Sequence, residues 1–306
     1  MRALALTLDL DGPAEYAAIH GVDAGPEPLL MYGRPLARFE ELCRTAGAPG
    51  TLFVVARDLH GAAVPTLAAL VARGFEVGNH SHDHDYALSR HDPDAITANL
   101  RLAQERFAAA LDVRPTGFRA PGYLLSRSLL DAVEKLGFAY DSSLLPSYAY
   151  MAAKSAVLGA YRVTGRRSAA IMGPPSLAFG PTVPYRPGTE PQQRGRRPFV
   201  ELPLPVATPL RLPVIGTSLL LAPAWLRLQL VAALRTQDLV VLDIHAMDLV
   251  DAHADDLPEP LARRQPELKI PLDKRLDDLD GIVGALAEGR ELLTGAEIAT
   301  RLATSL

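Results

Sequence analysis

The chain contains the stretch Gly78-Asn79-His80-Ser81-His82-Asp83-His84, which gathers three imidazoles and a carboxylate in one short segment. An apolar helix before it ends at Arg73-Gly74, and residues 75–77 predict a short strand. The cluster is therefore expected at the carboxyl end of a strand, where ligands and catalytic groups collect in α/β proteins.

Apolar strand segments and amphipathic helices alternate on both sides of this stretch. Such alternation predicts parallel strands in a barrel or an open sheet, and 306 residues are compatible with one α/β domain over residues 1–306. The predicted strands are residues 3–8, 50–55, 75–77, 117–119, 138–140, 199–203 and 240–245. The predicted helices are residues 35–45, 60–72, 93–111, 126–136, 224–236, 272–289 and 294–302, the last with a capping box of Thr294 and Glu297.

Three segments interrupt the alternation. Residues 11–33 are rich in glycine and proline and predict a long loop. The Pro-rich residues 144–198 predict an excursion from the fold, irregular in its second half, that forms a flap over the site. The apolar run from Val206 to Leu221 leaves two interpretations open: a barrel strand and loop in the core, or an apolar lip for a lipid-linked sugar.

Composition excludes several classes of function. A formal net charge of −4 with 48% hydrophobic residues argues against nucleic-acid binding. Cys43 is the only cysteine, so an internal disulfide and a cysteine-rich metal site are excluded. The first residues lack the pattern of a signal peptide, and no apolar run reaches the ~20 residues that a transmembrane helix needs. We expect a cytoplasmic protein without a transmembrane segment, and homo-oligomerisation stays open.

Polar side chains that a buried strand does not need follow four of the predicted strands. They are Asp9 and Asp11, His80 and His84, Arg119, and His245. His80 and His84 can face one ion if the segment turns helical after its strand, and a carboxylate such as Asp11 completes a set suited to a divalent metal. We expect Zn²⁺, with Co²⁺, Ni²⁺ or Mn²⁺ as alternatives. The competing interpretation is a solvated loop whose carboxylates cap turns.

The remaining strand-end residues suggest acid–base chemistry. Asp9 is a candidate base that takes a proton from water, and His245, on the opposite rim, is a candidate acid for a leaving amine. Arg119 would be costly to bury without a carboxylate, and Asp9 is the expected partner. Asp243 alternates with His245 on one strand face and is a candidate for tuning that histidine.

These residues resemble the motifs of the polysaccharide deacetylase family, the NodB-homology proteins or family 4 carbohydrate esterases. Thr7-Leu8-Asp9-Leu10-Asp11-Gly12 is similar to the family's Thr-Phe-Asp-Asp-Gly, with one residue between the aspartates. His80-Ser81-x-x-His84 matches the His-Ser/Thr-x-x-His motif, which is the most specific match. Arg119-Ala120-Pro121 and Leu242-x-Ile244-His245 resemble two later motifs. The Asp-x-Asp form is similar to a subgroup with intracellular peptidoglycan deacetylase-like and allantoinase-like members.

The resemblance implies a deformed (β/α) barrel of about seven parallel strands with one catalytic site. It implies that Asp9 is the catalytic base, that His245 is the general acid and that Arg119 holds Asp9. The implied metal ligands are Asp11, His80 and His84, and Ser81 orders their loop. A backbone amide near Gly122-Tyr123 is expected to stabilise the oxyanion.

One family element is missing from the sequence. The Asp-x-x-Asp-Trp motif, which tunes the catalytic histidine, should fall near residues 200–203, but the only tryptophan is Trp225. Glu201 or Asp243 is expected to substitute for its carboxylate. Because that tryptophan would line the site of an acetyl methyl, the identity of the acyl group stays open.

We therefore expect a metal-dependent hydrolase that removes an N-acyl group, with N-acetyl as the first choice, from an amino-sugar substrate. The expected substrate is a small, nucleotide-linked or lipid-linked sugar. Two alternatives are the hydrolysis of a small cyclic amide, as in allantoinase-like or imidase-like members, and a non-catalytic carbohydrate-binding protein of the same fold.

Overall fold

The computed structural model describes all residues from 1 to 306. The strands are β1 (Ala3–Leu10), β2 (Gly50–Val54), β3 (Glu76–Asn79), β4 (Gly117–Phe118), β5 (Tyr140–Asp141), β6 (Val200–Glu201), β7 (Val206–Ala207), β8 (Leu212–Pro213), β9 (Leu239–His245) and β10 (Glu291–Leu292). The helices are α1 (Pro13–His20), α2 (Arg34–Ala46), α3 (Ala63–Ala72), α4 (Pro93–Leu111), α5 (Arg127–Lys135), α6 (Tyr148–Val163), α7 (Gly216–Leu221), α8 (Ala224–Arg235), α9 (Glu259–Ala262), α10 (Leu272–Ala287) and α11 (Gly295–Ala303).

Seven parallel strands form one curled sheet in the order β9-β1-β2-β3-β4-β5-β6. The short β10 adds an eighth strand by pairing with the start of β1. Strands β6 and β9 do not pair, so the barrel is incomplete. The predicted deformed (β/α) barrel of about seven parallel strands is therefore confirmed.

Strand β1 is the central element that positions the site. All eight of its residues are buried, as expected for a parallel strand covered on both faces. Its register with β9 places Asp9 opposite His245 and Thr7 opposite Asp243. On the other side of β2, strands β3 and β4 pair at Asn79 and Phe118, so the residues that follow them, His80 and Arg119, are neighbours. The sheet thus gathers residues from distant parts of the sequence at its carboxyl edge.

Local signals in the sequence account for several helix boundaries. Asp92 caps α4 and Pro93 occupies its first position, while Ser126 caps α5. Thr294 and Glu297 form the predicted capping box of α11. No helix combines the length and the apolar composition needed to cross a membrane.

Several elements of the structure differ from the sequence prediction. Helix α1 lies inside the predicted loop 11–33, because Pro13 begins it and Gly21, in the left-handed conformation, ends it. Strands β7, β8 and β10 were not predicted, since pairings of two residues leave no periodic pattern in the sequence.

The two other interrupting segments take the following forms. The excursion of residues 144–198 begins with helix α6, and its Pro-rich second half contains no α-helix or β-strand, as predicted. The run 206–221 forms the β7–β8 hairpin and α7, and Val206, Val214, Leu219 and Leu220 are buried. Leu210 and Leu221 are 63% and 43% exposed, so the run is divided between the hydrophobic core and the surface.

Candidate metal centre and active site

Three potential metal ligands converge at the carboxyl edge of the sheet. The Asp11 Oδ1 atom lies 3.1 Å from His80 Nε2 and 3.1 Å from His84 Nε2. The side chains are buried, with relative exposures of 6% for Asp11, 1% for His80 and 3% for His84. This is the set of ligands expected from the sequence, and it combines carboxylate and imidazole donors typical of a divalent metal with open positions.

The loop after β3 brings the two histidines together without forming a helix, contrary to the expectation. Ser81 and His84 instead adopt left-handed φ angles of 68° and 54°. The Asn79 Oδ1 atom accepts a hydrogen bond from the Ser81 amide (2.8 Å), and Ser81 Oγ accepts one from the His84 amide (3.0 Å). The Ser81 side chain therefore holds the loop in the shape that turns both imidazoles inward. His82 is half-buried and outside the cluster.

The unpaired atoms of the cluster fit a bound cation. His80 Nδ1 lies 2.7 Å from the backbone oxygen of Arg119, which is an acceptor, so Nδ1 carries the proton and Nε2 presents a lone pair. Asp11 Oδ1 and His84 Nε2 are buried and have no hydrogen-bond partner. Burial alone would raise the pKa of Asp11, but His84 and His80 hold it well below its ordinary value.

Beside the cluster, one buried arginine holds two carboxylates. The Arg119 side chain is fully buried, and its NH1 atom donates to Asp9 Oδ1 (2.7 Å) and Asp243 Oδ1 (2.6 Å). Nε donates to the backbone oxygen of Ser142 (2.9 Å), and the guanidinium carbon lies 4.0 Å from the centre of the Phe53 ring. Although burial disfavours the charged form, Asp243 and Asp9 raise the pKa of Arg119 above its ordinary value. The expected Arg119–Asp9 pair is thus extended by Asp243.

The hydroxyl of Tyr123 links Asp243 to His245. It donates to Asp243 Oδ2 (2.5 Å), and it lies 3.2 Å from His245 Nε2. Because its one proton points to the carboxylate, its oxygen is free to accept a hydrogen bond from the imidazolium N–H. Burial lowers the pKa of His245, but Asp243, Asp9 and Asp11 outweigh it and raise the pKa to about 9. Burial also raises the pKa of Asp243 to about 6, against the opposing effect of Arg119.

Glu201, the other expected substitute for the missing family carboxylate, lies elsewhere. It is on β6 opposite Asp141 of β5, and its Oε1 accepts a hydrogen bond from the Leu144 amide (2.9 Å). Burial raises the pKa of Glu201, and the neighbouring Asp141 raises it further. The prediction that Glu201 tunes His245 is wrong, because Glu201 contacts Asp141 and Leu144, whereas the carboxylates that raise the pKa of His245 are Asp243, Asp9, Asp11 and Asp248.

The backbone of Gly122 and Tyr123 forms a tight turn after β4. Both residues have left-handed φ angles, 61° for Gly122 and 62° for Tyr123, and both line the cavity above the cluster. The Tyr123 amide donates to the Ala120 oxygen (3.1 Å) within the turn, so it is not free to bind an oxyanion. The Gly122 amide makes no hydrogen bond in the protein. Of the two expected backbone donors to an oxyanion, Gly122 is therefore the remaining candidate.

The cavity has a volume of about 120 Å³ and is bounded by Asp9, Asp11, His80, Gly122, Tyr123 and His245. Its other walls were not predicted from the sequence: Tyr16, Ile19, Tyr86, Tyr150, Lys154 and Ala170. Tyr150, Lys154 and Ala170 belong to the excursion, which thus covers one side of the cavity. Burial lowers the pKa of Lys154 to about 8. No motif marks these residues, because they reach the site through the packing of α1, α6 and the segments around Tyr86 and Ala170.

Comparison with known proteins places this geometry in context. Residues 22–140 match the family model described as polysaccharide deacetylase, which confirms the resemblance seen in the motifs. This range contains His80, His84 and Arg119, whereas Asp9 and His245 lie outside it. No curated protein matches the sequence.

Two solved structures that match nearly the whole chain support the fold. The chain is similar to a provisionally named polysaccharide deacetylase from Mycobacterium smegmatis, with 17% identity, coverage of 99% of this chain and 90% of that chain, and a TM-score of 0.64. It is also similar to Puue allantoinase, with 16% identity, coverage of 99% and 90%, and a TM-score of 0.57. A family 4 acetyl xylan esterase from Clostridium thermocellum, in complex with a cobalt ion, matches at 22% identity over 44% of this chain and 55% of that chain, with a TM-score of 0.34.

Proposed function

We propose that this chain, whose residues 22–140 match the polysaccharide deacetylase family, is a metal-dependent hydrolase that removes an N-acyl group, expected to be N-acetyl, from an amino-sugar substrate. The observation that carries the proposal is the position of Asp9. Its Oδ1 atom is held by Arg119, while Oδ2 lies 3.9 Å from His80 Nε2, beside the three candidate ligands. A carboxylate fixed next to such a cluster is placed to act as a base.

Asp11, His80 and His84 would hold the metal. A divalent ion in such an open site polarises a carbonyl and lowers the pKa of water to ~7, and Zn²⁺ is the expected ion. Co²⁺, Ni²⁺ and Mn²⁺ are alternatives that accept the same donors. The hydrogen bond from His80 Nδ1 to the Arg119 backbone oxygen fixes the orientation of one ligand.

The protein's own groups then divide the proton transfers. Asp9 takes a proton from the attacking water, and the Gly122 amide donates a hydrogen bond to the oxygen of the tetrahedral intermediate. His245, which its neighbouring carboxylates keep protonated, delivers a proton to the departing nitrogen. The products are a carboxylate and a free amine.

The size of the cavity supports a substrate that inserts only its acyl-amide end. Its volume of about 120 Å³ is well below the ~300–1,000 Å³ of pockets that enclose a whole small molecule. The sugar would then lie outside, against the excursion. This arrangement is compatible with nucleotide-linked and lipid-linked precursors.

The test measures acetate release from N-acetyl sugars in parallel with ring opening of hydantoins and imides. We expect acetate release, whereas activity restricted to the cyclic amides would replace the deacetylase proposal with the allantoinase-like alternative. Inactive protein that contains no metal after purification without chelator, and that added Zn²⁺ or Co²⁺ does not rescue, would favour a binding protein.

Two variants separate the roles of ligand and base. His80→Ala is expected to lose the metal, while Asp9→Asn keeps it and loses turnover by about 10²–10⁴-fold. Asp112→Asn is the matched control, because Asp112 is exposed and asparagine tolerates its left-handed conformation. Equal metal loss in His80→Ala and Asp9→Asn would mean that Asp9 is a ligand rather than the base.

A further inference from the structure

A second depression lies next to the active-site cavity, between α6, the segment that follows it and the loop before α4. It has a volume of about 450 Å³ and is lined by the exposed residues Arg90, Arg162 and Arg166. Ser155, Ser168 and Tyr161 add hydroxyl groups to its walls. We call this depression the arginine groove.

The cations of the arginine groove have no counter-ions. No aspartate or glutamate lines the groove, although the whole chain has more acidic than basic residues. None of the three arginines forms a salt bridge. Many other arginines of the chain do pair with an aspartate or a glutamate. Arg90 donates one hydrogen bond to the Met172 backbone oxygen, which orients its side chain but leaves its charge unneutralised.

The groove continues into the active site. Ala170 lines both the active-site cavity and the arginine groove. On α6, Lys154 lines the cavity and the next residue, Ser155, lines the groove. No carboxylate contributes to the shift of the pKa of Lys154, and its Nζ atom lies 5.6 Å from the centre of the Tyr150 ring. A path of unpaired positive charge therefore leads outward from the position of the acyl group.

We propose that the arginine groove binds a phosphate group of the acylated substrate. The proposal rests on the proposed function, since it concerns the part of the substrate that remains outside the cavity. A guanidinium group can donate two parallel hydrogen bonds to the oxygens of one phosphate, and it is only weakly hydrated. Several arginines without carboxylate partners therefore form a suitable phosphate site. A neutral polysaccharide would leave these charges without partners.

Binding is tested with inorganic pyrophosphate as the probe, by titration calorimetry at low salt. Arg162→Gln and Arg166→Gln are each expected to weaken binding about tenfold or more, since hydrogen bonds to charged groups are lost. The matched control is Arg167→Gln, which removes the same charge from the same segment but lies outside the groove. If Arg167→Gln weakens pyrophosphate binding as much as the groove variants do, the effect is a general consequence of removing positive charge, and the proposal is overturned. Unchanged pyrophosphate binding in the two groove variants would also overturn it.

Two further arms identify the site and the chemistry. His80→Ala should still bind pyrophosphate, whereas loss of binding in this variant would assign the anion to the metal cluster and overturn the proposal. Citrate is expected to bind more weakly than pyrophosphate, and tighter binding of citrate would replace the phosphate assignment with a carboxylate one.

Kinetics separate this inference from the proposed function. We expect a higher kcat/KM for N-acetylglucosamine 1-phosphate than for N-acetylglucosamine, and Arg162→Gln should lower the first value at least tenfold more than the second. Equal kcat/KM values for the two sugars would overturn the proposal for the arginine groove but not the proposed deacetylase function. Pyrophosphate binding with the expected variant effects, but no hydrolysis of either sugar, would refute the deacetylase function and leave the groove as a phosphate site.

Discussion

The two sides of the active-site cavity are built in opposite ways. On one side, β1 and β9 present Asp9, Asp243 and His245 from the interior of the sheet, in a network around the fully buried Arg119. On the other side, the residues of α6 are half-buried or exposed, and no carboxylate contributes to the pKa shift of its half-buried Lys154. In the proposed function, the groups that must keep a fixed geometry lie on the strands, while the groups expected to contact a variable part of the substrate lie on an outer helix.

The largest effect should come from removing the cation of the strand side. Arg119→Ala leaves Asp9 and Asp243 buried without a counter-ion, so we expect a loss of about 3–5 kcal/mol in the free energy of unfolding, together with loss of activity. Denaturant unfolding measures the first quantity. Arg197→Ala is the matched control, since Arg197 also binds two carboxylates, but these are 53% and 43% exposed, and we expect less than about 1 kcal/mol. If Arg119→Ala and Arg197→Ala lose similar amounts of unfolding free energy, the buried and the exposed ion pairs do not differ in their contribution to stability.

A second test compares one hydroxyl from each side. Tyr123→Phe removes the link between Asp243 and His245 and should lower kcat by about 10–100-fold, because a hydrogen bond to charged groups is lost. Tyr150→Phe is the control from α6, since Tyr150 also lines the cavity but its hydroxyl makes no hydrogen bond in the protein. We expect less than a threefold change there, which corresponds to the ~0.5 kcal/mol of a neutral surface substitution. A larger loss in Tyr150→Phe would give the helix side a part in the chemistry.

The third test follows the proton on His245. Its pKa is raised to about 9, and the proposed acid must be protonated to act, so kcat/KM for an amide should fall about tenfold for each pH unit above that value. The profile of p-nitrophenyl acetate should lack this decline, because its leaving group needs no proton. An identical decline for both substrates would show that the titration reports a different group.

The smallest effect is expected on the helix side. Burial lowers the pKa of Lys154 to about 8 from 10.5, so the folded protein binds fewer protons than the unfolded chain between these values, and stability rises with pH in that window. Lys154→Met should therefore be slightly more stable than the wild type at pH 7, and the difference should vanish above pH 10.5. Melting temperatures at pH 7 and at high pH measure it. A destabilised variant at pH 7 would show that Lys154 has a partner that stabilises its charge.

The strand side could be predicted from the sequence, and the helix side could not. Strands β1 and β9 are apolar runs with charged residues near their carboxyl ends, and β3 leads directly into His80. Parallel pairing then places Asp11, which follows β1, near His80, which follows β3. Tyr123 shows the limit of this approach. Its neighbours in the sequence indicated a role for its amide, but the left-handed turn uses that amide internally and directs the hydroxyl toward Asp243.

The residues on α6 and α1 were missed for a different reason. Tyr16 and Lys154 carry no recognisable pattern, and they reach the cavity only through the path of long connecting segments. Such paths depend on tertiary packing rather than on periodicity. The prediction that Glu201 tunes His245 was wrong for a related reason, since the curl of the sheet determines which strand ends face each other.

The shared salt bridge of Arg119 sets an order of events. Asp9 and Asp243 bind the same guanidinium atom, and both carboxylates raise the pKa of His245. If Asp9 acts as the proposed base, its protonation removes one of these negative charges, and the pKa of His245 should fall. The imidazolium would then become a stronger acid when the departing nitrogen needs a proton, so the proposed first proton transfer would favour the second.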